Sequence, residues 1–212
     1  MDPLLQTIYN IILEGDIRGS EQAVTAALDA GIGPQEILNT AMMTAMEEVG
    51  RLFTVGEYFI PEMLVAAKTM QRGLGVLRPR LVAEDYQPVA KVIMGTVRGD
   101  QHDIGKNLVG MMLEGAAFEV IDLGSDVAPE QFVAKIQETG AELIGMSAML
   151  TTTMVNMKVT IDALQAAGLR EQVKVMVGGA PVRQSFADEI GADGYAPDAG
   201  SAVGLAKSLL KI

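Results

Sequence analysis

The chain has 212 residues, 49% hydrophobic and 20% charged, which describes a globular protein of one large or two modest domains and excludes a disordered or fibrous class. Sixteen basic residues against 27 acidic ones give a formal net charge of −11, a field that repels nucleic acid and anionic lipid. The absence of cysteine excludes disulfides, thiolate metal sites and thiol nucleophiles.

In chain order, the opening segment MDPLLQTIYNIILEGD carries no basic leader, and a soluble cytoplasmic protein is expected. Helical periodicity follows, with apolar residues at Val24, Ala27 and Leu28, then at Leu38, Ala41, Met42, Ala45, Met46, Val49, Leu52 and Phe53. Pro34 after Gly33 suits a first helical position, and Ile60, Met63, Leu64, Ala67 and Met70 resume the stripe beyond Gly56. Four helices between about residues 3 and 76, packed as a small bundle, are predicted. After Arg78 and Pro79 the stretch 80–90 shows no period and contains a second proline, which makes it the linker candidate.

From Lys91 onward, the β-branched runs KVIMGTV, FEVIDL, ELIGMS and VKVMVGG alternate with stretches long enough for crossover helices. A weak fifth strand is expected near Asp193 to Ala196 and a last helix over Ser201 to Leu210. That order is the mark of an α/β protein with a parallel sheet covered on both faces. The uncharged run 143–157 is interrupted by Ser147, Thr151, Thr152 and Thr153 and does not suit a membrane span.

Open parallel sheets bind ligands outside the carboxyl ends of their strands. Asp100, His102 and Gly105 follow the first strand, Ser147 closes the third, and Gly178 and Gly179 close the fourth. A glycine after a parallel strand is more often the turn into the next helix than a ligand contact, so each glycine alone decides nothing. His102 is the only histidine of the chain, and Asp100 lies within reach of one of its ring nitrogens, an arrangement that prepares the other nitrogen to bind metal. One histidine without cysteine cannot form a conventional zinc site, so a metal held here must bring most of its ligands with it.

DQHDIG at 100–105 resembles the Asp-x-His-x-x-Gly signature of cobalamin-binding domains, with Ser147-Ala148-Met149 and Gly178-Gly179 as the companion Ser-x-Leu and Gly-Gly motifs. Forty-one residues lie between Gly105 and Ser147 and 28 between Met149 and Gly178, separations that suit the family. Met149 stands where the family has leucine. The segment EEVGRLFTVGEYFIPEML at 47–64 is similar to the helical cap that precedes the B12 domain in methionine synthase and in the corrinoid proteins of anaerobic methyltransferase systems.

The resemblance implies a flavodoxin-like, five-stranded parallel sheet domain over residues 87–212, preceded by a four-helix bundle cap over residues 1–86. It implies a corrinoid methyl carrier of one-carbon metabolism, with cobalamin as cofactor and little activity alone. In such carriers the cofactor is base-off, the protein histidine is the lower cobalt ligand, and the metal cycles between methyl-Co(III) and Co(I). By the same resemblance His102 is the metal ligand, Asp100 bonds its imidazole and Ser147 supports Asp100 from behind. Asp103, Gly105, Met149, Thr151, Gly178 and Gly179 complete the cofactor contacts, and the Asp100–His102 pair couples protonation to the methylation cycle. Phe53, Tyr58, Phe59, Met42 and Met46 are the residues from which the cover of the cofactor's upper face would be drawn, bundle core being the competing role for the aromatics and the favoured one for each methionine.

The implied partners are a substrate-specific methyltransferase, a corrinoid:acceptor methyltransferase and a reductive activator protein. A cobalamin-dependent sensor would use the same two modules but usually adds a basic DNA-binding region. A carbon-skeleton mutase subunit would not need the cap. Nine Phe and Tyr residues without tryptophan are few for a flavin sandwich, and TVRGDQHDIG fits a phosphorylated receiver poorly.

Overall fold

The computed structural model describes residues 1–212, and the chain divides into two compact units, residues 1–89 with 114–117 and residues 90–113 with 118–212.

The first unit is helical. Asp2 caps α1 (Pro3–Glu14) by accepting from the Leu4 amide at 2.8 Å, and Pro3 takes the first helical position, where a missing N–H costs nothing. Gly15 ends α1 in the left-handed conformation, and Asp16 at once caps α2 (Ile17–Asp29) through the Gly19 amide. The next rod starts as α3 (Pro34–Glu36), widens into a π-helical stretch over Ile37–Met43, and narrows again to α4 (Thr44–Thr54). Thr44 Oγ1 donates to the Asn39 carbonyl five residues back, the spacing of the widened turn. Helix α5 (Ile60–Ala83) opens with the Phe59 amide bonded to Glu62.

Leu5, Ile8, Ile12, Val24, Ile37, Met42, Met63 and Met70 are buried, and Ser20 Oγ donates to the Thr69 carbonyl at 2.7 Å between α2 and α5. Met42 and Met46 are core residues, Tyr58 donates its hydroxyl hydrogen to the Leu13 carbonyl, and Phe59 stays exposed. The expected end of the bundle near residue 76 and the linker at 80–90 need correction, because α5 runs through Pro79 to Ala83. Leu77 and Leu81, one turn apart, are both buried, and their packing carries the helix past the proline. The carbonyl that Pro79 leaves without a donor belongs to Gly75, an exposed residue with no Cβ for water to work around.

The second unit is the expected α/β sandwich. Strands β1 (Lys91–Thr96), β2 (Glu119–Asp122), β3 (Leu143–Ser147), β4 (Lys174–Gly178) and β5 (Gly194–Tyr195) are all parallel, in the order β2-β1-β3-β4-β5. Helices α6 (Ile104–Gly115), α7 (Pro129–Thr139), α8 (Val155–Ala166) and α9 (Gln184–Ile190) make the crossovers, and α10 (Ala199–Leu210) closes the chain. Ile93, Ile144, Met146, Val175 and Val177 pack with Phe132 and Ile136 of α7 and Met157, Ile161 and Leu164 of α8 in one apolar cluster. The order reverses between β1 and β3, and the crevice expected of such a switch point lies outside the carboxyl ends of these two strands. No helix is long and apolar enough to cross a membrane.

Candidate functional site

Register sets the floor of the crevice. Thr96 pairs with Ser147 and Ser147 with Gly178, so the last residues of β1, β3 and β4 form one row at the rim. The chain leaving β1 carries Asp100, His102 and Asp103, the chain leaving β3 carries Met149, Thr151 and Thr153, and Gly179 follows β4.

Asp100 is wholly buried and is the hub. Its Oδ1 accepts from the His102 amide at 3.0 Å and from His102 Nδ1 at 2.7 Å. Its Oδ2 accepts from the Met149 amide at 2.8 Å, the Leu150 amide at 3.3 Å and the Thr153 hydroxyl at 2.5 Å. Burial by itself would raise the pKa of this carboxyl group, but the donors from Thr153, Met149 and His102 outweigh it and hold Asp100 well below the usual carboxylate range.

A carboxylate only accepts, so the hydrogen between Asp100 and Nδ1 sits on the ring. In the neutral imidazole the lone pair is therefore on Nε2. Thr96 Oγ1 donates to the His102 carbonyl at 3.0 Å, which fixes the backbone behind the ring, while the side chain of His102 remains 55% exposed. The site thus offers one oriented nitrogen with an open lone pair.

Ser147 does not support Asp100; that place is taken by Thr153. Ser147 is still a residue of β3, with its backbone carbonyl bonded to the Val97 amide, whereas the loop after the strand curls back and brings Thr153 over the carboxylate. Thr151 lies exposed on the same loop. Asp103 is exposed and accepts from the Asn107 side chain at 3.1 Å.

The three glycines differ. At Gly179, φ is +123° and a Cβ would stand 1.9 Å from the Ala148 carbonyl oxygen, so the close approach of another backbone segment demands glycine there. A Cβ on Gly178 would lie 3.1 Å from the Ala196 carbonyl. On Gly105 it would meet nothing within 4 Å, so the space beside this residue is open to a ligand.

Thr153 and the buried Lys106 were not singled out from sequence. Lys106 follows Gly105 directly, and its Nζ lies 2.6 Å from both carboxylate oxygens of Asp122 and from Asn107 Oδ1. The run of three threonines after β3 was a signal for a hydroxyl donor, but not for which of the three.

No cluster of three or more His, Cys, Asp or Glu side chains could hold a bare metal ion, so His102 suits only a metal that arrives with most of its coordination filled. The surroundings suit such a group. Ile104 at the start of α6 and Met149 and Leu150 on the loop after β3 expose large apolar side chains, which mark a surface suited to an apolar ligand face. An open parallel sheet with one tethered imidazole at its switch point and apolar residues around it defines a ligand-binding α/β module.

Comparison with known proteins agrees. Residues 90–204 match the B12 binding domain, and residues 4–78 match a second family model, also described as a B12 binding domain. The chain is 43% identical over 213 residues to trimethylamine corrinoid protein 2 of Methanosarcina mazei, covering 100% of this chain and 98% of the relative. It is 41% identical over 210 residues to a corrinoid protein of Desulfitobacterium hafniense, covering 98% of this chain and 97% of the relative. Among solved structures it resembles a chain of the methanol:cobalamin methyltransferase complex MtaBC from Methanosarcina barkeri, with 30% identity and a TM-score of 0.89, covering 100% of this chain and 81% of that one. The chain belongs to the B12-binding corrinoid protein family, and its cofactor is a cobalamin.

Proposed function

We propose that this chain is a methyl carrier that binds cobalamin base-off with His102 Nε2 as the lower cobalt ligand and moves a methyl group between a substrate-specific methyltransferase and a corrinoid:acceptor methyltransferase. Bound cobalamin supplies the metal on which a methyl group is taken up and given away. The chain's own residues orient and tune the imidazole. The carboxylate of Asp100 keeps the hydrogen on Nδ1, and Thr153 with the Met149 amide keeps Asp100 ionised. Gly105 leaves room for the cofactor, Met149 offers it an apolar contact, and Ser147, Thr151 and Asp103 offer polar ones. Gly178 and Gly179 shape the rim through backbone rather than side-chain contacts. In this reading residues 1–86 are the cap domain and residues 87–212 the cofactor domain.

The observation that carries the proposal is the pairing of a locked Nδ1 with an open Nε2 on the only histidine of the chain. The test is absorption and EPR spectroscopy of the protein reconstituted with cobalamin in its cobalt(II) form. Splitting by a nitrogen that comes from the protein, lost in His102→Ala, is expected. A cofactor that keeps its own base on cobalt, or fails to bind, would overturn the reading. For the carrier role, the loaded protein mixed with each candidate methyltransferase should pass the methyl group from donor to acceptor.

A further inference from the structure

The segment between β2 and α7 is bound, over residues 124–127, to the end of β1 and to the loop that carries His102. The Thr96 amide donates to the Gly124 carbonyl at 3.0 Å, and the Val127 amide donates to the Thr96 carbonyl at 2.9 Å. Ser125 Oγ donates to Gln101 Oε1 at 3.2 Å. At the far end of the loop, Lys106 reaches back to Asp122, whose Oδ1 also accepts from the Gly124 amide at 2.9 Å.

The central contact is Asp126, which acts in both directions. Its Oδ1 accepts from the Gly99 amide at 2.7 Å, and its own amide donates to the Asp100 carbonyl at 2.9 Å. It does so at φ +56°, in the left-handed region where glycine is least strained. A turn alone would be served by glycine. This position instead carries an exposed carboxylate, spent on an amide three residues before His102.

We propose that Asp126 is a positioning residue for the cobalt ligand: its carboxylate and amide together clamp Gly99 and Asp100, and thereby fix where the His102 ring stands. The inference rests on the ligation by His102 proposed above. Asp126 makes no contact with the ring and acts through the backbone of the loop. An anionic acceptor makes the Gly99 contact one of the stronger backbone tethers of the loop. Its loss leaves the Asp100 carbonyl and Gln101 contacts to this segment in place but takes from the Gly99 amide its acceptor, so the start of the loop is held less firmly.

Three proteins separate this role from a merely structural one: the parent, Asp126→Gly and Asp126→Asn. Glycine removes the carboxylate and relieves the backbone at the same time, so the thermal midpoint should stay near that of the parent. Asparagine keeps an oxygen acceptor in a residue that tolerates the left-handed region. In the Gly variant, the Gly99 amide should exchange faster with deuterated water in the cofactor-free protein. Cobalamin should bind about tenfold more weakly, the scale on which outer partners of a ligand histidine act, with a smaller nitrogen-ligated share of the EPR signal. The Asn variant should bind within about twofold of the parent, since the acceptor oxygen is retained. A Gly variant equal to the parent in amide exchange, affinity and ligation overturns this inference alone. A parent without protein nitrogen on cobalt overturns the ligation reading and this inference with it.

Discussion

Asp100 and Thr153 lie 53 residues apart in the chain, and their side chains meet at 2.5 Å inside the protein. The contact joins the loop after β1 to the loop after β3 across the point where the sheet reverses its order, and it keeps a buried carboxylate ionised beneath a solvent-facing imidazole.

Removing the hydroxyl should expose the value of that contact. Thr153→Val preserves shape but withdraws one donor from a buried anion, and a loss of about 1–3 kcal/mol in folding stability is expected. Thr153→Ser should recover most of it. Urea denaturation of the three proteins measures the difference, and a Val variant as stable as the parent would show that the remaining donors suffice.

The acid side of the stability profile carries the same signature. Asp100 holds its proton less tightly in the folded protein than in the unfolded chain, where an aspartate titrates near about 3.9. Its contribution is therefore fully present above that value and fades as the pH falls through it toward the lower folded value. Between pH 6 and pH 3 the parent should lose stability more steeply than Asp100→Asn, which lacks the proton linkage and starts lower. Parallel curves would contradict this assignment.

The two glycines at 179 and 105 should separate folding from binding. Gly179→Ala puts a Cβ against the Ala148 carbonyl at a positive φ, and a cost of about 2 kcal/mol or more is expected in thermal denaturation. Gly105→Ala meets no protein atom and lies in a helix, where alanine gains about 0.5–1 kcal/mol. It should melt no lower than the parent and yet bind cobalamin more weakly in a spectral titration, because the added methyl group enters the space left for the ligand. Unchanged cobalamin affinity in that variant would remove Gly105 from the cofactor contacts.

Met149→Leu tests the one departure from the family motif. The volumes are similar and the side chain is half exposed, so folding stability should change by less than about 1.5 kcal/mol. Cobalamin affinity should remain within a small factor of the parent, as read by the same titration.

How much of this was legible beforehand depended on the range of the interaction. The strands were readable because both faces of the sheet are covered, so that KVIMGT and LIGMS are nearly continuous apolar runs with no polar alternation. The pairing of Asp100 with His102 spans two residues and follows from local reach. The choice of Thr153 over Ser147 does not, because it depends on how the chain curls after β3, and three adjacent threonines give no local reason to prefer one. Pro79 misled for a related reason: a proline lowers the local preference for helix, while the burial of Leu77 and Leu81 outweighs it. The widened turn at Ile37–Met43 left no trace, since Leu38, Met42 and Met46 keep an apolar spacing that an ordinary helix would also show.

The anchoring of His102 at two atoms, its ring Nδ1 and its backbone amide, to one oxygen of Asp100 has a kinetic meaning. A side chain already stopped from swinging has little orientational entropy left to surrender when a metal arrives. Under the ligation proposed for His102, formation of the cobalt–nitrogen bond would then be limited by the entry of the cofactor into the crevice rather than by a search through ring orientations.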